Sequence, residues 1–219
     1  MWPPVYYAIV RPLCAFDLDH TLVRSSLDLV AMKVELRAFV VGRGLALPEP
    51  SRTWTIGQLI DWLAREAPGL EAEGWAICAD HEHRAVDGAM SEPGAHEALD
   101  TLRAAGYPLA VWTNNARVVT ESVLVRCGLA GFFGQVVTRD EAALKPDPAG
   151  LRLLEAAFPE RRIWVVGDSW VDGAAAHAGG AAFIAYGADP AELARRGVAP
   201  RVVLHDLRAI AGWLETAVW

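Results

Sequence analysis

The chain has 219 residues, of which 53% are hydrophobic and 21% are charged, and its formal net charge is −7 at pH 7. This composition excludes a disordered chain and suits one well-filled core with a small second lobe. The acidic balance, with no run rich in Lys or Arg, argues against a nucleic-acid partner. A small anionic substrate is still compatible with the negative net charge, provided that a cation lines the site.

The three cysteines, Cys14, Cys78 and Cys127, are far apart and show no CxxC spacing. They predict neither a zinc site nor a disulfide framework, and we expect a protein of the reducing cytoplasm. The apolar start, MWPPVYYAIV, is short and has no basic n-region, so it predicts an N-terminal arm rather than a signal peptide. No apolar stretch approaches the length of a membrane span.

Short apolar runs alternate with helical patterns along the chain. Six runs predict strands, at residues 13–16, 108–113, 135–138, 162–167, 181–186 and 201–204. They lack a strict alternation of apolar and polar residues, which is typical of parallel strands buried on both faces. Helical patterns cover 95–105, 116–127 and 148–157. The repeated order of strand and helix predicts an α/β fold with a Rossmann-like parallel sheet.

The interval from residue 23 to about residue 91 contains no convincing strand. Its first helical pattern has an apolar stripe, formed by Leu27, Val30, Ala31, Val34, Ala38 and Val41. Two further helical patterns follow, at 56–67 and 71–87. We expect residues 23–91 to form an all-helical cap, inserted into a core made of residues 1–22 and 92–219. Because the cap leaves the core beside two aspartates, it is a candidate lid.

Acidic and polar side chains lie at the ends of the predicted strands or at a helix start. They are Asp17, Asp19, Thr113, Asn114, Lys145, Asp168 and Asp172. In open parallel sheets, ligands bind beyond the carboxyl ends of the strands. If the strands that carry these residues are neighbours, the side chains converge on one site.

The motifs DLDHT, TNN, KPDP and GDSWVD, in this order, resemble the four motifs of the haloacid dehalogenase-like hydrolases. Most members of that family are magnesium-dependent phosphatases. The resemblance covers about residues 13–187. The stretch GDSWVDGAAAHAGGAAFIAYG further resembles the members that carry a helical cap after the first motif, such as phosphoglycolate phosphatases and β-phosphoglucomutases. His20 departs from the pattern, because such members often carry glycine there and histidine adopts a positive φ less readily.

The resemblance implies that Asp17 attacks phosphorus, while Asp19 protonates the departing alcohol and later takes a proton from water. Repulsion between two close carboxylates favours one of them being protonated while the other is ionised. The resemblance also implies a Mg²⁺ ion bound by Asp17, by the backbone carbonyl of Asp19 and by Asp168. Asp172 would be a further ligand or a support, although it could instead cap the helix that follows it.

For the phosphate group, the resemblance implies contacts from the Thr113 hydroxyl and the Asn114 backbone N–H. Lys145 would fix the nucleophile and neutralise charge. Arg24 is the arginine closest to the first motif, and we expect it to contact an anionic substrate from the cap. Each of these residues also has a structural interpretation, such as a helix cap or a solvated surface charge.

The sequence therefore predicts a Mg²⁺-dependent phosphatase that hydrolyses a small phosphomonoester through a phospho-aspartate, with a phosphoglycolate-like compound as the candidate substrate. A phosphomutase of the β-phosphoglucomutase type would share all four motifs. A dehalogenase is disfavoured, because halide departure does not require the acid that Asp19 supplies. A non-catalytic binding protein on the same fold is the third alternative, and the oligomeric state is left open.

Overall fold

A computed structural model describes residues 10–217, so the expected N-terminal arm lies almost wholly outside the described residues. The strands are β1 (Leu13–Phe16), β2 (Val23–Arg24), β3 (Met90–Ser91), β4 (Leu109–Trp112), β5 (Gln135–Val137), β6 (Ile163–Gly167), β7 (Ala182–Tyr186) and β8 (Val202–Leu204). Six of them form a parallel sheet in the order β5-β4-β1-β6-β7-β8. The predicted α/β fold is confirmed, and each of the six predicted strands is present.

Helices connect the strands and form the inserted segment. They are α1 (Leu29–Gly42), α2 (Ile56–Glu66), α3 (Glu71–Val86), α4 (Ala95–Ala104), α5 (Arg117–Arg126), α6 (Ala149–Ala157), α7 (Trp170–Ala178), α8 (Pro190–Arg195) and α9 (Ala209–Thr216). Short 3₁₀ helices cover Glu49–Thr53, Pro68–Leu70 and Ala130–Phe132. Within residues 10–217, no helix combines the length and the apolarity that crossing a membrane would require.

The sheet is buried on both faces, which explains why its strands lack an alternating pattern. Along β1, Cys14 and Phe16 face one apolar cluster, which also includes residues of α4, α5 and α9. Leu13 and Ala15 face the opposite cluster, with residues of α6, α7 and α8. Helices on both faces leave the ends of the strands as the place where polar groups can gather.

Helices α1, α2 and α3 form a small separate core, built around Met32, Leu36, Leu59, Ile60 and Cys78. Helix α2 begins with a capping box in which Thr55 and Gln58 bond reciprocally. We call this helical segment, residues 29–86, the cap. The buried apolar residues of the cap pack mainly against one another, so the cap has a core of its own.

The face of α1 that is buried differs from the one that the sequence predicts. The stripe that predicted this helix is largely exposed, with Val30 at 74%, Val34 at 61% and Val41 at 60%. The buried face instead carries Met32 and Leu36, together with Val40. Both stripes have helical spacing, and the larger Met and Leu side chains occupy the cap interior, which buries more apolar area.

The prediction that residues 23–91 contain no strand is wrong at both ends of the interval. Val23 pairs with Ser91 and Arg24 with Met90, in a two-stranded antiparallel ribbon of β2 and β3. Each strand has only two residues, which is too short to give a periodic signal. The ribbon brings together the points where the chain leaves the sheet domain and returns to it.

Candidate active site

The site lies at the carboxyl ends of three adjacent parallel strands. Asp17 follows β1, Thr113 follows β4 and Asp168 follows β6, and β1 lies between the other two in the sheet. These residues line a cavity of about 710 Å³ between the sheet and the cap. The location agrees with the general rule for open parallel sheets.

Lys145 is the centre of the hydrogen-bond network in this cavity. Its Nζ atom donates to Asp17 Oδ1 at 2.6 Å, to Asp172 Oδ1 at 2.5 Å and to the carbonyl oxygen of Trp112 at 2.8 Å. The lysine side chain is only 2% exposed. Three acceptors satisfy the three ammonium protons, so the lysine holds Asp17 and Asp172 in fixed positions.

Asp172 has both carboxylate oxygens engaged by the protein. Oδ1 accepts from Lys145, while Oδ2 accepts from the backbone N–H of Ser169 at 3.1 Å and also from its hydroxyl. Asp172 therefore forms the capping box of α7, the interpretation that competed with its role as a metal ligand. A Cβ atom at Gly167 would lie 2.5 Å from Asp172 Cγ, so only glycine fits beside this carboxylate.

Two carboxylates at the site, those of Asp17 and Asp168, have strongly perturbed pKa values. Burial raises the pKa of Asp17 well above its usual range; Lys145 opposes this effect, while the charges of Asp172 and Asp168 add to it. Burial and repulsion from Asp172 raise the pKa of Asp168 to about 7. Burial alone would lower the pKa of Lys145, but Asp17 and Asp172 outweigh it and the pKa rises. The site thus carries more negative charge than one lysine offsets.

The sequence predicts repulsion within the Asp17 and Asp19 pair, and in the structure two further acids act on Asp17. Among the carboxylates near Asp17, Asp172 and Asp168 act most strongly on its pKa. The physical reason is the fold, which brings in two acids that are distant in sequence and places both in the same buried pocket.

Two asparagines position the acid residues and the lysine. The Asn114 side chain accepts from the backbone N–H of Lys145 at 2.8 Å and donates to its carbonyl oxygen at 3.1 Å. Asn115 Nδ2 donates to Asp19 Oδ2 at 2.5 Å. The Thr113 hydroxyl accepts from the backbone N–H of Asn115 at 3.3 Å. Sequence reasoning missed the partnership of Asn115 with Asp19, which the TNN motif alone does not indicate.

A buried ion pair joins the cap to the sheet domain at the rim of the cavity. Glu82 on α3 pairs with Arg139, which follows β5, and the two side chains are 4% and 8% exposed. Glu82 also accepts from the backbone N–H of Ala116 at 3.3 Å. Arg139 lies over the ring of Trp75, 4.8 Å from its centroid. No local sequence signal identifies this pair, because its members are 57 residues apart.

The structure brings all but one of the sequence-predicted site residues to the cavity; Asp17, Asp19, Thr113, Asn114, Lys145, Asp168 and Asp172 all line it. Arg24 is the exception. It forms a two-point ion pair with Glu92, at 2.7 and 3.1 Å, beside the β2–β3 ribbon, and its side chain is 58% exposed. The expected contact between Arg24 and substrate therefore has no support in this geometry, because a carboxylate already satisfies its guanidinium.

His20 lines the cavity and has a φ of 57°. It therefore occupies the left-handed region of the backbone, at the position where similar members of the family often carry glycine. Thr21, the next residue, is fully buried, and its hydroxyl has no hydrogen-bond partner within residues 10–217.

The donor set suits a hard divalent cation. Asp17, Asp168 and Asp172 each offer a carboxylate oxygen, and these atoms lie within 4.8 Å of one another. Carboxylate oxygens are the ligands that Mg²⁺ prefers, usually together with several waters. Because Lys145 and Ser169 already engage Asp172, Asp17 and Asp168 have more free capacity to bind an ion.

Comparison with known proteins gives consistent matches along most of the chain. Residues 12–180 match the model of the haloacid dehalogenase-like hydrolase family. A phosphoglycolate phosphatase of Cereibacter sphaeroides is 30% identical over 190 residues, covering 78% of this chain and 83% of the relative. One from Pseudomonas savastanoi is 32% identical over 220 residues, covering 90% of this chain and 78% of the relative.

Solved structures show the same fold. A hydrolase from Pseudomonas syringae has a TM-score of 0.71 at 20% identity, covering 95% of this chain and all of its own (100%). A structure described as a "predicted phosphoglycolate phosphatase" from Haemophilus somnus has a TM-score of 0.65 at 24% identity, covering 92% of this chain and 97% of its own. The chain belongs to the haloacid dehalogenase-like hydrolase family, as shown by the ordered motifs, the acids at the strand ends and the matched length.

Proposed function

We propose that this hydrolase is a Mg²⁺-dependent phosphatase that cleaves a small phosphomonoester, of the phosphoglycolate type, through a phosphorylated Asp17. The observation that carries the proposal is the grouping of Asp17, Asp19, Asp168 and Lys145 around one cavity, at the ends of adjacent parallel strands. The names of the relatives support the substrate type, and the acid cluster supports the metal.

In the first half of the proposed reaction, a carboxylate oxygen of Asp17 attacks phosphorus, and the bond from phosphorus to the ester oxygen breaks. Lys145 holds Oδ1, so Oδ2 is the oxygen with free lone pairs for the attack. Asp19 gives its proton to the departing alkoxide. Its Oδ2 accepts from Asn115, which leaves Oδ1 to carry that proton.

In the second half, water attacks phosphorus and the bond to Asp17 breaks, which releases inorganic phosphate. Asp19, now ionised, takes the proton from that water. Asp17 and Asp168 would hold the Mg²⁺ ion, and when bound it would offset negative charge on the phosphate and the carboxylates. Asp172 acts through Lys145, by keeping the ammonium group beside the nucleophile.

The test is release of inorganic phosphate from a panel of small phosphomonoesters, with and without Mg²⁺. We expect Mg²⁺-dependent release by the wild-type protein and loss of nearly all turnover in Asp17→Asn, because the amide is similar in shape but is a poor nucleophile. Asp61→Asn is the matched control, since Asp61 is exposed on the cap and outside the cavity lining.

Phosphate release by Asp17→Asn at the wild-type rate would contradict the proposal. Isomerisation of a sugar phosphate, without net phosphate release, would instead identify a phosphomutase. Absence of turnover across the panel, with Mg²⁺ bound, would identify a binding protein on this fold.

A further inference from the structure

The cap contributes positive charge to the wall of the active-site cavity. Lys33 and Arg37 are one turn apart on α1 and both line the cavity that contains Asp17. No sequence pattern distinguishes them from the other basic residues of the cap. Their environment in the structure distinguishes them.

Neither cation has a carboxylate partner among the described residues 10–217. Lys33 Nζ donates to the backbone carbonyl of Arg52 at 3.2 Å. Arg37 Nη1 donates to the carbonyl oxygen of Ser51 at 2.8 Å and to its hydroxyl at 3.1 Å. Both bonds of Arg37 come from a single nitrogen, so Nε and Nη2 keep donors that a ligand can use.

The other cations that line the cavity already have anionic partners. Lys145 binds Asp17 and Asp172, and Arg139 binds Glu82. Arg52, at 3.5 Å from Glu49, has a looser and highly exposed pair. Within the described part of the chain, Lys33 and Arg37 are therefore the lysine and arginine of this lining that form no ion pair with a carboxylate.

Repulsion between Lys33 and Arg37 favours an anion beside them. Leu29, Val30, Val34 and Trp54 line the same cavity. Burial, followed by repulsion from Arg37, lowers the pKa of Lys33. Two like charges close together beside apolar side chains are costly unless an anion lies between them or beside them.

We propose that Lys33 and Arg37 form a second anion site, which selects phosphomonoesters whose leaving group carries another anionic group. This inference rests on the proposed phosphatase function, because it assigns the far end of the substrate while Asp17 receives the phosphoryl group. The second anion is a carboxylate or a phosphate.

The first experiment compares two esters of the same size. Phosphoglycolate carries a carboxylate, and ethylene glycol monophosphate carries a neutral hydroxymethyl group in its place. We expect the wild-type kcat/KM to favour the carboxylate ester by roughly tenfold to a hundredfold, which is the range for a hydrogen bond between charged groups. The same assay is then repeated with a propanediol bisphosphate and with carboxylate esters that have longer chains. It establishes which anion is preferred and at what distance from the phosphoryl group.

The second experiment changes the cations. Lys33→Met is expected to reduce the preference for the anionic ester by about tenfold, mainly through KM, while Lys33→Arg retains most of it. Arg37→Lys is expected to weaken the preference, because it removes the free guanidinium donors. Arg65→Met is the matched control, since Arg65 is an exposed cap arginine outside the cavity lining.

Binding to the Asp17→Asn variant, measured by calorimetry with the same two esters, separates this inference from the proposed function. If the wild-type protein hydrolyses no ester of the panel but the variant binds the anionic ester more tightly than the neutral one, the phosphatase proposal fails and the anion site stands. Equal binding of the two esters, binding of neither, or a preference unchanged by Lys33→Met would overturn the anion site.

Discussion

Replacement of Asp168 by asparagine gives a direct test of the charge crowding at the site. The pKa of this carboxyl is about 7 in the folded protein, against an ordinary value of 3.8, because burial and Asp172 oppose its ionisation. The folded protein therefore binds this proton more tightly than the unfolded chain does. Without metal, the free energy of unfolding should fall as the pH rises from about 4 to about 7.

The size of the effect follows from the two pKa values. Their difference, at about 1.4 kcal/mol for each pKa unit, corresponds to about 4 kcal/mol that opposes folding near pH 8. Asp168→Asn removes this charge and keeps the side-chain shape. We expect the metal-free variant to be more stable than the wild-type protein by up to about 4 kcal/mol near pH 8, and by little near pH 4.

The assay is urea unfolding of both proteins across this pH range, with chelator and with added Mg²⁺. Mg²⁺ should stabilise the wild-type protein and have little effect on the variant, because the variant lacks one of the proposed ligands. Asp61→Asn serves again as the control for the chemical change. A variant that is less stable than wild type near pH 8 without metal, or that responds equally to Mg²⁺, would refute the reasoning.

Three further substitutions test other parts of the structure. Gly167→Ala should push the Asp172 side chain away and reduce kcat/KM at least tenfold, with a loss of about 1–3 kcal/mol in the free energy of unfolding; unchanged kinetics would contradict this. Thr21→Val replaces a buried, unpartnered hydroxyl with a methyl group, so thermal unfolding should show equal or higher stability; a large loss would reveal a missed hydrogen bond. Glu82→Gln should cost about 3 kcal/mol, because its arginine partner stays buried, whereas Glu73→Gln at a half-exposed pair should cost less than about 1 kcal/mol; similar losses in urea unfolding would refute the difference.

The sequence was sufficient for the sheet, because each strand is a short apolar run between recognisable helices. For example, residues 162–167 predict a strand, and β6 covers Ile163–Gly167. The β2–β3 ribbon could not be predicted, because two-residue strands paired across the whole cap leave no local pattern. The buried face of α1 could not be predicted either, because that helix has two apolar stripes and the packing determines which of them is buried.

The site shows the same division between local and distant information. Asp17 and Asp168 could be chosen because each follows a predicted strand, and their proximity then follows from the order of the strands. Arg24 could not be excluded, because its pairing with Glu92 depends on how the cap returns to the sheet domain. Lys33 and Arg37 stand out only after the partners of every other cation in the cavity are known.

The central claim is that Asp17 becomes phosphorylated during turnover, and it can be observed on the protein. In Asp19→Asn, an ester with a good leaving group, p-nitrophenyl phosphate, needs no proton from residue 19 to depart, whereas hydrolysis of the phosphorylated enzyme still lacks its base. Acid quenching followed by mass spectrometry should therefore find one added phosphoryl group on the peptide that contains Asp17. Release of p-nitrophenol without phosphorylation of that peptide, or phosphorylation at another residue, would contradict the account.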